Sequence, residues 1–179
     1  MGVIKSVVTG IATTFATLIV HLGVVSFFPF PFNRANIIVL LLVWFSMYGR
    51  PTRSLGLAVA LAFLIELYSS APFGTELVAL TGSVMALRWL LRRIFTNYSW
   101  YMVLLSVVSA LIAYRLIFTF LIIGESLLSK DPWPVNTALF LNYALELLLT
   151  TAVAAVSYGL VSRVLKRLRP VYIQKHLAL

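Results

Sequence analysis

The sequence contains no cysteine. Disulfides, thiolate catalysis and cysteine metal sites are therefore excluded. Histidine is nearly absent as well: His21 stands alone in an apolar stretch and His176 lies close to the end of the chain, so no pair has metal-ligand spacing. No nucleophile elbow, phosphate-binding glycine loop or paired-carboxylate motif occurs, which leaves catalysis without a carrier and calls for no cofactor. Acidic residues number only 5 against 14 lysines and arginines, for a formal charge of +9. That balance does not indicate nucleic acid, because the basic residues sit between long apolar runs and do not form a stripe with interleaved aromatics. The first apolar stretch has only Lys5 ahead of it and no small-residue cleavage pattern behind it, so it reads as a retained helix.

What the sequence has in abundance is apolar surface. The apolar fraction is 61% and the mean hydropathy +1.01, well above the roughly 45 to 50% apolar content of soluble domains. Crossing a bilayer core takes about 20 apolar residues, fewer where neighbouring protein buries the ends. Six segments qualify, approximately Val7–Phe28, Asn36–Tyr48, Leu55–Ser70, Thr75–Leu91, Trp100–Gly124 and Ala138–Val161. The expected fold is thus an all-α polytopic membrane bundle of about six transmembrane helices. It forms a single domain over 1–179, with a basic cytoplasmic tail at 163–179. The second and third segments are short and also admit a re-entrant hairpin from Asn36 to Ser70. Two crossings are favoured, because Gly49, Arg50, Pro51, Thr52 and Arg53 form a charged turn that would be costly inside lipid.

Alternating the loops between two sides places eleven basic residues on one face: Lys5, Arg50, Arg53, Arg88, Arg92, Arg93, Arg163, Lys166, Arg167, Arg169 and Lys175. The other face receives Arg34 and Lys130. The positive-inside rule then puts both termini in the cytoplasm. Tyr98, Trp100, Tyr101 and Trp133 fall near helix ends, where amphipathic rings favour the interface. Helices in lipid associate through close packing, which small residues permit. Gly56 with Ala60, Ala58 with Ala62, Ala79 with Ser83 and Ala155 with Gly159 form such pairs, suited either to packing inside the bundle or to a partner's helix.

Three charges fall deep inside segments. Helical rise places Glu66 about 17 Å from the cytoplasmic end of the third segment, Arg115 about 22 Å along the fifth, and Glu146 about 12 Å inward from the outer end of the sixth. All three lie near one depth, so the planar fork of Arg115 is expected to pair with one or both carboxylates. Such a pair can simply fix helix register. A substrate or proton site would draw on further polar residues, here Asn142, Tyr143 and Tyr114.

The stretch Asn36-Ile-Ile-Val-Leu-Leu-Leu-Val-Trp-Phe, then Arg50-Pro51-Thr-Arg53, then Gly56, then Ile65-Glu66-Leu67-Tyr68-Ser69-Ser70-Ala71-Pro72-Phe73-Gly74, resembles the bacterial rod shape-determining MreD family. The motif residues are Asn36, Arg50, Pro51, Arg53, Gly56, Glu66, Ser69 and Gly74, within a likeness covering roughly Asn36 to Leu91. Glu66 stands where that family usually has aspartate, Ala35 where proline often precedes the asparagine, Ala62 where glycine is common, and Ser70 where glycine often follows the serine. The resemblance implies a non-enzymatic component of the cell-elongation and peptidoglycan-synthesis machinery in the bacterial cytoplasmic (inner) membrane. Its partner would be an MreC-like membrane protein, with MreB and the peptidoglycan synthases as indirect partners and membrane lipid around it. The family is also similar in fold to the substrate-binding subunits of energy-coupling factor vitamin transporters. The alternative is therefore a solute-binding subunit of that kind, in which Ala12 and Ala16 would meet the transport partner; the short outer loop Ala71 to Gly74 argues against it. A lipid scaffold or flippase forms a third class. Candidate partner-helix contacts are Ala12, Ala16, Gly56, Ala58, Ala60 and Ala62.

Overall fold

The computed structural model of the chain describes residues 12, 14, 16, 17, 19, 23, 29, 30, 32–48, 51–93, 99–129 and 137–176. Most of the first apolar segment, Arg50, Tyr98, Lys130 and Trp133, and the side chains of the 163–179 tail lie outside the described residues. Among the described residues a 3-10 turn at Phe32–Arg34 leads into five continuous α-helices: α1 (Ile37–Tyr48), α2 (Pro51–Glu66), α3 (Thr75–Arg93), α4 (Trp100–Ser129) and α5 (Thr137–His176). No strand occurs among the described residues.

Local chemistry explains the helix boundaries. Asn36 caps α1 by accepting the Val39 N–H at 3.1 Å on its side-chain oxygen, satisfying a donor that the helix itself leaves unpaired. α2 begins at Pro51, a first-turn position where the missing N–H costs nothing and the fixed φ suits a helix. The expected turn is accordingly shorter than Gly49 to Arg53, since Pro51, Thr52 and Arg53 already belong to the helix. At its other end α2 stops at Glu66, before the expected Ser70. Arg92 and Arg93 close α3, where positive charge suits the negative end of the helix dipole.

At about 1.5 Å per residue, the 12 residues of α1 extend roughly 18 Å and the 16 of α2 roughly 24 Å. Among the described residues two helices, α4 and α5, are long and apolar enough to cross a membrane. Only 28% of the apolar stretch in α4 and 17% of that in α5 is buried inside the protein. A soluble core helix would be mostly covered, so this outward apolar surface favours lipid as the surrounding solvent. Phe120, Leu127, Leu128 and Val156 are among the large side chains left exposed.

The core lies mainly among α1 to α4, with Ala154 of α5 completing it. Val39, Leu42 and Val43 of α1 meet Ala58, Leu61 and Ala62 of α2, Leu80, Val84 and Leu87 of α3, and Val103, Val107 and Leu111 of α4. The α3–α4 pair packs most extensively. Gly82 permits this approach: a Cβ there would sit 2.9 Å from Ile117 Cδ1. α5 packs mainly on α4 and on the 3-10 turn, with a lighter contact to α1 that includes Trp44 stacked on Tyr158, ring centroids 6.3 Å apart.

Candidate functional site

Among the described residues three buried carboxylates organise the bundle, and each finds a different kind of partner. Glu66, at the end of α2, accepts the Gly74 N–H on Oε1 and the Leu77 N–H on Oε2, both at 2.9 Å. Gly74 occupies the position before α3 with φ +97°, a region that side chains disfavour, and as glycine it has no side chain with which to cap. Glu66 supplies the capping acceptor from eight residues away, and its negative charge suits the positive end of the α3 dipole. The turn is completed by Ala71 N–H donating to Ser69 Oγ at 3.1 Å and by the Thr75 hydroxyl donating to the Pro72 carbonyl at 2.7 Å.

Glu146, in α5, is the partner of Arg115 in α4. Arg115 Nε donates to Glu146 Oε2 at 2.7 Å, and its terminal nitrogen pairs with the same oxygen. The Asn36 side chain donates to Glu146 Oε1 at 2.8 Å, while the Asn36 backbone N–H donates to Thr150 Oγ1 at 2.8 Å. One asparagine thereby caps α1 and ties its start to α5. The Arg115 guanidinium also lies against three rings, 4.6 Å from the centroid of Tyr143, 4.9 Å from Tyr114 and 5.8 Å from Phe118. Ring faces of this kind partly replace lost water around a cation.

The third carboxylate, Glu76, is buried in the first turn of α3 and accepts the Tyr114 hydroxyl at 2.7 Å on Oε2. Sequence reasoning, which singles out Glu66, Arg115 and Glu146, passes over Glu76. A signal was present: Glu76 precedes Ala79 and Ser83 by three and seven residues, which puts all three on one helical face.

The expected cluster of Glu66, Arg115 and Glu146 therefore separates. Arg115 and Glu146 come together, whereas Glu66 is engaged by backbone amides of the α2–α3 turn, because its place at the α2 terminus brings it to unpaired amide donors of the next helix. Of the motif residues, Asn36, Glu66, Ser69 and Gly74 hold helix ends and turns, Arg53 and Gly56 are exposed, and Arg50 lies outside the described residues. The small-residue positions also divide. Ala58 and Ala62 are 0% exposed, so they pack inside the bundle and do not serve as partner contacts. Gly56 and Ala60 face outward on the opposite side of α2, and Ala12 and Ala16 are exposed helical positions beside buried Thr14 and Thr17.

Between the 3-10 turn, α3, α4 and α5 lies a cavity of about 450 Å³. Asn33, Arg34, Asn36, Glu76, Tyr114, Arg115, Asn142, Tyr143 and Glu146 contribute its polar lining, with Ile65, Leu80, Phe118 and Leu139 among the apolar walls. A second, apolar hollow of about 280 Å³ runs between α4 and α5 along Leu111, Ile112, Leu116, Thr119, Ile122, Phe140 and Leu147. Leu139, Arg115, Tyr143 and Glu146 border both. Glu66 borders neither. Among the described residues no three His, Asp or Glu side chains gather to hold a metal ion. No protein-family model, curated protein or solved structure matches the chain.

Proposed function

We propose that the chain is a non-enzymatic, multi-pass protein of the bacterial cytoplasmic membrane, of the MreD kind. It serves the cell-elongation machinery by binding an MreC-like membrane protein, and through it MreB and the peptidoglycan synthases. In this reading six segments cross the membrane and both termini are cytoplasmic. The observation that carries the proposal is the resemblance from Asn36 to Gly74. The structure supports it by using those residues as a frame: Asn36, Glu66, Ser69 and Gly74 hold helix ends and turns together. A bundle framed this way acts by offering surfaces. The outward small-residue faces at Ala12 with Ala16 and at Gly56 with Ala60 let another helix approach closely.

The test is copurification with an MreC-like protein. Ala12→Leu or Ala60→Leu is expected to abolish it while the chain still folds. Ala58→Leu, which overfills a closed contact, is expected to lower folded yield instead. Copurification with an energising ATPase complex, and none with an MreC-like partner, would overturn the proposal. That outcome belongs to the second reading, a solute-binding subunit of a vitamin transporter, which the 450 Å³ polar cavity favours. Under it the purified chain binds a small water-soluble solute, and Asn142→Leu removes the binding.

A further inference from the structure

The charges facing the polar cavity have an uneven state of satisfaction. Arg115 and Glu146 neutralise each other. Glu76 receives one hydrogen bond, from the uncharged Tyr114 hydroxyl. Arg34 is exposed at the edge of the cavity, and the described residues give neither Arg34 nor Asn142 a hydrogen bond or ion pair. What remains for a ligand is thus one positive and one negative group in the same cavity, with an amide beside them. An anion alone would leave the buried Glu76 facing a like charge, which is unfavourable in a partly dewatered site, and a cation alone would make no use of Arg34 or Asn142. A zwitterion satisfies both.

The second feature is the apolar hollow that shares Leu139, Arg115, Tyr143 and Glu146 with the cavity. Its walls at Ile112, Leu116 and Phe140 are part of the outward apolar surface of α4 and α5, so it is suited to hydrocarbon and opens where lipid would stand. A polar, charge-balanced chamber bordering an apolar groove has the layout of an amphiphile.

We propose that cavity and groove form one site for a zwitterionic phospholipid of the phosphoethanolamine class, with its ammonium at Glu76, its phosphate at Arg34 and Asn142, and an acyl chain between α4 and α5. The site rests on the chain being embedded in a membrane, and it requires no MreC-like partner. Failure here would therefore leave the copurification result untouched.

The experiment is native mass spectrometry on the full chain purified in detergent. It is titrated with phosphatidylethanolamine, with phosphatidylglycerol of the same acyl chains, and with chain-free glycerophosphoethanolamine. The ethanolamine lipid is expected to be retained about tenfold better than the glycerol lipid, the scale of one charge-assisted hydrogen bond in a wet cavity. Glu76→Gln should bring that ratio close to one. Should Glu76→Gln not fold, Arg34→Gln at the exposed edge and Thr119→Trp in the groove decide the matter, each lowering retention of the ethanolamine lipid with thermal unfolding unchanged. Equal retention of the two lipids would overturn the site. So would binding of glycerophosphoethanolamine as tight as that of the lipid, since the groove would then contribute nothing and the occupant would be a soluble solute.

Discussion

Replacing Glu146 with leucine removes both partners' hold on the centre of the bundle. Arg115 loses its Nε bond and its ion pair, and Asn36 loses the oxygen to which its side chain donates. Breaking a fully buried pair from one side costs about 3 to 5 kcal/mol. The Arg115 side chain is 27% exposed and keeps its three aromatic neighbours, which lowers its share to about 2 to 3 kcal/mol. The unpaired asparagine amide adds about 1 kcal/mol. Glu146→Leu is therefore expected to destabilise the chain by about 3 to 4 kcal/mol, a two- to three-decade shift in the folding equilibrium. Arg115→Leu should do comparable harm, because Glu146 is only 6% exposed and would retain a single neutral donor. The double replacement leaves neither charge stranded and should cost at least about 2 kcal/mol less than the two single effects added together. The assay is a double-mutant cycle, read by unfolding of the detergent-purified chain under increasing denaturing detergent. Additivity within about 0.5 kcal/mol would refute the coupling on which the reasoning rests.

Gly74→Ala places a side chain at φ +97° and should destabilise by about 1 to 2 kcal/mol, measured in the same unfolding assay; no loss would mean that the turn relaxes freely. At Gly82, alanine should be tolerated because the Ile117 Cδ1 atom it meets is the movable end of a side chain. Leucine there should separate α3 from α4 and sharply lower folded yield, and equal yields for the two variants would contradict the close approach. Cysteines introduced at Thr52, Asn97 and Gln174 should resist an impermeant thiol reagent in intact cells, while one at Ser129 should label. The reverse pattern would invert the proposed orientation.

The order in which these features become legible follows the range of the forces that create them. Composition and run length suffice to read an all-helical chain with apolar outer surfaces, because the transfer of apolar residues from water depends on amount more than on partners. The starts of α1, α3, α4 and α5 are readable for the same reason, since caps and turns are local, whereas α2 begins and ends four residues earlier than expected and α4 and α5 run on past their expected ends. Asn36 before an apolar run and glycine before α3 each act over a few residues, while Pro51, expected in the turn, instead opens α2. Depth along a helix is likewise a matter of counting, and it correctly brought Arg115 and Glu146 to the same level.

Depth does not specify which way a side chain points or what stands opposite it. Glu66 shares that depth, yet it ends α2, where the unpaired amides of α3 reach it before any arginine does. Glu76 acquires its partner only when α4 brings the Tyr114 hydroxyl to it. Ala58 and Ala60 are equivalent as small residues in a stripe, and only the position of α1, α3 and α4 around α2 makes one of them core and the other surface. The cavity between α3 and α5, and the balance of charge within it, are properties of helix arrangement and leave no periodic trace in the chain.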